Sequence, residues 1–132
     1  MDRKRAVLMA RVSSDEQAKG YSLDDQEERL RKYCANHDIE IIYLFREDHS
    51  ARSFERPEFK RFLVFATKHR KEVDLLLFTS WDRFARDTIG AYSMIARRNK
   101  MGIEAQSIEQ PIDYSVPEYK AIFAFYLSLP VI

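Results

Sequence analysis

Short apolar runs alternate with stretches whose apolar residues recur at three- and four-residue spacing. Ala6 to Val12 is mostly apolar and bounded by charge, the pattern of a strand buried on both faces. A polar loop with one glycine, Asp15 to Tyr21, follows. Ser22 with Asp25 forms a capping pair, Asp24 and Asp25 suit the positive end of a helix, and Leu23, Leu30, Tyr33 and Cys34 share one face, so a helix is predicted from Ser22 with its stop at Asn36 to Asp38. Ile39 to Phe45 carries β-branched and aromatic residues and predicts a second strand. Asp48 to Arg56 is a polar loop, and Pro57 stands where a first helical residue belongs. Phe59, Phe62, Leu63 and Ala66 then keep helical spacing as far as a cationic end at Lys68 to Lys71.

Val73 to Thr79 is almost continuously apolar and predicts a third, central strand. Ser80 to Asp87 is a charged loop. Thr88 to Lys100 reads as a helix with Ala91, Met94 and Ile95 inward, closed by Gly102. Ile103 to Ile108 is a short fourth strand, and Gln110 to Val116 a loop. Pro117 to Leu129 predicts a last helix, with Tyr119, Ile122, Phe123, Tyr126 and Leu127 as its apolar stripe. Phe125 and Leu129 fall outside that stripe, so the surplus fits either a subunit contact or burial within the chain's own domain. Alternating strands and helices define an α/β fold around a mostly parallel sheet of four to five strands flanked by helices. The chemistry of such sheets collects at the carboxyl ends of the strands.

Those ends carry Arg11, Ser13 and Ser14 after the first strand, Asp48, Arg52 and Arg56 after the second, and Asp82, Arg83 and Arg86 after the third. Arginine presents a planar, permanently charged fork that matches phosphate oxygens. A hydroxyl among several such forks suits attack on a phosphodiester, with the arginines neutralising charge that grows in the transition state. Taken one at a time, the same arginines suit solvated loops, and Ser13 or Ser14 suits a helix cap.

Composition narrows the partners. The 132 residues make one domain, 45% hydrophobic and 33% charged, with 22 Lys plus Arg against 21 Asp plus Glu for a formal net charge of +1. A domain gripping duplex DNA mainly by charge should be far more basic. A single cysteine, Cys34, excludes an internal disulfide and multi-cysteine metal centres. Cys34 sits on the inner helix face and has Glu40 where a cysteine phosphatase loop has arginine. His37, His49 and His69 share no metal-ligand spacing. His49, in the candidate loop, reads as surface. No acidic pair follows the first strand as in a receiver domain. With only Gly20, Gly90 and Gly102 there is no nucleotide-cradling loop, and no Gly-x-Ser-x-Gly elbow is present. No apolar run reaches the ~18 residues of a membrane span, and the charged start lacks the form of a signal peptide. The reading is a cytoplasmic protein with no membrane or nucleotide partner.

Four blocks, in order, resemble the catalytic domain of the serine recombinases, the resolvase and invertase family. They are Ala10-Arg11-Val12-Ser13-Ser14-Asp15-Glu16-Gln17, then Ser22-Leu23-Asp24-Asp25-Gln26, then Asp48 with Glu55-Arg56-Pro57-Glu58-Phe59, and Trp81-Asp82-Arg83-Phe84-Ala85-Arg86-Asp87. Gly20 and Tyr21, after a lengthened first loop, look like the large members. The resemblance implies a resolvase-like fold ending in a long helix. It also implies Ser13 as nucleophile, a 5′-phosphoserine link to DNA and religation to a new partner, without metal or other cofactor. Arg11, Arg56, Arg83 and Arg86 would bind the phosphate, Asp82 would orient arginines or assist proton transfer, and Gln26 would position the phosphate. Gln17 and Asp48 would lie against DNA, and Arg52, where the second loop departs from the family pattern, adds a cation that suits either a DNA phosphate contact or plain surface charge. The implied partners are double-stranded DNA and further copies of the chain, a homodimer pairing to a tetramer. Met9 stands where many members have tyrosine, and Ala51 where the second loop often has glycine. Residues 1–132 are expected to be the catalytic domain without the C-terminal DNA-binding region. The alternative is a catalytically idle dimerisation or regulatory domain of the same fold.

Overall fold

The computed structural model describes residues 3–12, 22–47, 57–69, 71–81 and 102–128. The elements within them are β1 (Arg5–Arg11), α1 (Leu23–Asn36), β2 (Glu40–Glu47), α2 (Pro57–His69), β3 (Leu75–Phe78), β4 (Glu104–Ser107) and α3 (Tyr119–Ser128). The predicted helix at Thr88 to Lys100 lies outside the described residues. Gly102, expected to close it, has a φ of +75°, the left-handed region that glycine enters without cost.

The four strands form one parallel sheet in the order β2-β1-β3-β4. β1 and β3 are central, and their apolar runs follow from cover on both faces. On one face Ala6, Leu8, Leu75 and Leu77 pack with Leu30 and Cys34 of α1. On the other, Val7, Met9, Phe45, Leu76, Phe78 and Ala105 pack with Phe62 and Ala66 of α2, together with Trp81 and Ile112. The register pairs Ala6 with Leu75 and Leu8 with Leu77, so alternate residues of the two strands serve the same layer. Phe45 meets Phe62 edge-on at 6.0 Å, and Phe78 meets Trp81 in the same way at 4.8 Å.

Local signals set the helix ends. Ser22 caps α1, its Oγ accepting from the Asp25 N–H at 3.1 Å. Replacing Ser22 by alanine is expected to destabilise the domain by about 1 kcal/mol in urea unfolding. Arg46 of β2 holds the same helix end, pairing with Asp24 and Glu27 at 2.7 Å each. The Arg31 guanidinium, and then Arg46, hold the Glu27 carboxyl below its usual range. Pro57 opens α2, where its missing N–H costs nothing.

Two expected boundaries move. β2 runs two residues past Phe45, and its last residue, Glu47, is buried. The last helix begins at Tyr119 rather than Pro117. The Asp113 carboxylate accepts from the Ser115 N–H, and the Asp113 carbonyl from the Val116 N–H. This turn spends the residues before the helix, and the first four-residue step is Ile122 N–H to Glu118 O at 3.2 Å. Within α3, Tyr119 is half-buried against Tyr114, while Ile122 is 38% and Phe125 60% exposed. Burial of the helix within its own domain therefore does not hold for Ile122 and Phe125.

Candidate active site

In a parallel sheet the chain leaves every strand at one edge. β1 ends there at Arg11, β2 at Glu47 and β3 at Phe78. The strand order reverses direction between β1 and β3, since β2 lies to one side of β1 and β3 and β4 to the other. This is the topological switch point at which open α/β sheets form their crevice.

Arg11 is 1% exposed, although it carries a permanent charge. It continues the Val7, Met9 series, and its register partner Glu47 continues the Tyr43, Phe45 series. Both side chains therefore leave the sheet on the α2 face, where the aromatic layer gives way to a buried cation and a buried carboxylate. Sequence reasoning placed Asp48 at this strand end and passed over Glu47. The available signal was the two-residue alternation, which carries on through Glu47.

Gln26 comes from α1 on the opposite face. With Leu30 and Cys34 it forms that helix's buried residues, at four-residue spacing. The Val12 N–H donates to Glu47 O of β2 at 2.9 Å, so the Arg11 peptide groups point the other way, toward β3. The β1–β3 register pairs end at Leu8 and Leu77. Beyond them the Gln26 amide serves as the partner. The Arg11 N–H donates to Gln26 Oε1 at 3.1 Å, and Gln26 Nε2 donates to Arg11 O at 2.8 Å. A side-chain amide thus stands in for a strand peptide where the two central strands part.

The exit of β3 is tied to β4. Ile108 N–H donates to Phe78 O and Glu109 N–H to Thr79 O, at 2.9 and 3.1 Å. Ser107 Oγ donates to Thr79 O at 2.8 Å and accepts from the N–H groups of Glu109 and Gln110. The Trp81 N–H donates to Gln110 Oε1 at 3.0 Å, and the indole Nε1–H to Gln110 O at 3.1 Å. Ser107 and Gln110 were not among the sequence-predicted residues, because nothing in the pattern distinguishes a serine or glutamine that serves backbone from one in solvent.

Among the expected site residues, the structure places Arg11 and Gln26 together at the end of β1. Ser13, Ser14, Gln17, Asp48, His49, Arg52, Arg56, Asp82, Arg83 and Arg86 lie outside the described residues. Cys34 is buried as expected, and burial pushes its thiol up from the ordinary range, which leaves it a poor nucleophile. Among the described residues no group of His, Cys, Asp and Glu is arranged to hold a metal, and no helix is long and apolar enough to cross a membrane.

Comparison with known proteins adds the family dimension. Residues 6–129 match the family described as "Resolvase, N terminal domain". The N-terminal catalytic domain of TP901-1 integrase superimposes with a TM-score of 0.78 at 25% identity, covering 95% of this chain and 92% of that one. The C-terminal catalytic domain of ISC1926 TnpA, an IS607-like serine recombinase, gives 0.68 at 25% identity, over 79% and 70% of the two chains. A resolvase family site-specific recombinase from Streptococcus pneumoniae shares the fold, with a TM-score of 0.74 at 23% identity over 93% and 85%. No match is found among curated proteins.

Proposed function

The chain belongs to the resolvase family of serine recombinases by its N-terminal catalytic domain, and from that premise we propose that it cuts and rejoins DNA through a phosphoserine intermediate at Ser13. The observation that carries this reading is the parallel sheet, in which β1, β2 and β3 all end at one edge, and Ser13 follows β1, Arg56 follows β2 and Asp82, Arg83 and Arg86 follow β3 in the sequence. Ser13 is two residues past Arg11, so chain geometry keeps their Cα atoms within about 7 Å. Asp82 follows Trp81 directly. Ser13 and Asp82 are thus tethered to the two strands that flank the switch-point crevice.

In the proposed reaction Ser13 Oγ attacks the phosphorus of a DNA phosphodiester. The Oγ–P bond forms, the P–O3′ bond breaks, and the 3′ oxygen leaves as a hydroxyl after taking up a proton. Asp82 assists the proton transfer or orients the arginines. Arg11, Arg56, Arg83 and Arg86 balance charge on the non-bridging oxygens, which is where positive groups lower the barrier. Arg52, Gln17 and Asp48 lie along the DNA, and Gln26 acts on the phosphate through the strand end that it clasps. Religation is the reverse attack by a new 3′ hydroxyl. The phosphoserine ester conserves the bond energy, so the scheme calls for no nucleotide, and the arginines take the place of a metal. Copies of the chain pair through the exposed apolar side of α3, as a dimer that assembles into a tetramer on DNA. The setting of the reaction is the cytoplasm.

The test is a pool of randomised duplexes nicked so that the short fragment carrying the freed 3′ hydroxyl diffuses away, incubated with the protein in EDTA. The expected result is a detergent-resistant protein–DNA band whose peptide carries phosphoserine at Ser13. A joint that maps elsewhere, or that forms only with magnesium, overturns the mechanism. Silence on every duplex returns the chain to an idle dimerisation or regulatory role.

A further inference from the structure

We propose that Gln110 is a positioning residue for the segment that carries Asp82, Arg83 and Arg86, acting through Trp81; the inference rests on the function proposed above. Trp81 immediately precedes that segment. It is 1% exposed and packs edge-on against Phe78, so its ring is anchored in the core. Its main chain lies beyond the last β3–β4 register pair, Phe78 with Ser107, where a strand end ordinarily frays.

Gln110 holds it there at two points, one on the main chain and one on the side chain. Gln110 Oε1 accepts the Trp81 main-chain N–H, which fixes the backbone at Trp81. Gln110 O accepts the indole N–H, which fixes the ring. Gln110 is itself held, since its N–H donates to Ser107 Oγ at 3.0 Å. That hydroxyl also donates to Thr79 O and accepts from the Glu109 N–H, which uses its one donor and both acceptor positions. The consequence is a closed set of bonds around residues 79–81 and 107–110, built on strand ends rather than on a free loop. Catalytic groups have to be held to within about half an ångström, and support of this kind at the residue before them serves that demand.

The chemistry of the clamp makes a sharp test. The Gln110 side chain contributes only an acceptor to Trp81, so glutamate can replace it and methionine, of the same length, cannot. Trp81 is the one tryptophan of the chain, and its emission reports the clamp directly. In the full protein, Gln110→Met is expected to lower the rate of covalent joint formation at saturating DNA by about 10- to 100-fold. Half-saturation should stay within about twofold of the parent, because the change acts on placement and not on DNA affinity. Trp81 emission should shift to the red and be more open to acrylamide quenching. Gln110→Glu is expected to restore both rate and emission. If Gln110→Met does not fold, Gln110→Asn takes its place, being one methylene too short to reach the Trp81 N–H.

Parental rates in the methionine or asparagine variant overturn the proposal, as does a glutamate variant no better than methionine. If the parent itself forms no joint with any DNA, the functional reading fails, and positioning for catalysis fails with it. The emission comparison still decides whether Gln110 holds Trp81 at all.

Discussion

Ser13→Ala is expected to abolish the covalent protein–DNA joint, lowering its rate by on the order of 10⁴-fold or more, as loss of a covalent nucleophile does elsewhere. The same nicked duplexes and a denaturing gel check it. The physical reason is that the alanine leaves the arginines and the DNA-binding surface in place but removes the one atom to which phosphorus transfers. DNA affinity in a gel-shift titration is therefore expected to remain within about threefold of the parent, since phosphate contacts supply it. The adjacent hydroxyl makes the control. Ser14→Ala is expected to retain the joint, because the scheme transfers phosphorus to Ser13 Oγ and leaves the neighbouring hydroxyl unused. A joint lost in Ser14→Ala and kept in Ser13→Ala would move the nucleophile by one position and leave the rest of the scheme standing.

Gln26→Leu is expected to carry the second-largest effect, on stability as well as on the joint. Leucine fills the buried position but strands the Arg11 N–H and C=O that the amide now serves at 3.1 and 2.8 Å. Two buried main-chain groups left without those bonds cost about 2–4 kcal/mol, measured as a lower urea midpoint. Gln26→Glu separates the two halves of the clasp. Its carboxylate still accepts from the Arg11 N–H but, when ionised, faces the Arg11 carbonyl with no proton to give. The fold thus favours the protonated acid and raises its pKa above the unfolded value. Relative to the parent, this variant is expected to be most stable below about pH 4.3 and to lose that stability as pH rises through the folded pKa. Urea midpoints at pH 4.5 and pH 7.5 should differ more for Gln26→Glu than for the parent. Gln110→Glu should show no such pH dependence from the clamp, because its contact with Trp81 needs only an acceptor.

The scaffold was legible because its signals are local or periodic. The Ser22 cap, Pro57 at the head of α2 and the apolar runs of β1 and β3 each act within a few residues, and each appears where the pattern puts it. The resolvase-like likeness was legible through its four blocks, and the family match covers the same stretch. Less visible were polar groups that work for the backbone. Gln26 occupies the inward position between Leu23 and Leu30, yet hydrophobic pattern alone treats it as a gap in the stripe. Ser107, Gln110 and Glu47 acquire their surroundings only when strands distant in sequence come together. The start of α3 was misplaced because Pro117 favours a first helical turn locally, while the Asp113 turn claims the preceding residues.

The central place of β1 has a cost during synthesis. Its neighbour β3 pairs Ala6 with Leu75, 69 positions later in the chain. At ribosomal speeds of about 5–20 residues per second, β1 waits roughly 3–14 s for that partner to be made. In that interval the β3-facing edge of Ala6-Val7-Leu8-Met9-Ala10 is a bare sticky ribbon. A nascent chain of this design should therefore be a client for chaperones that bind short greasy segments, until the first half of the sheet can close.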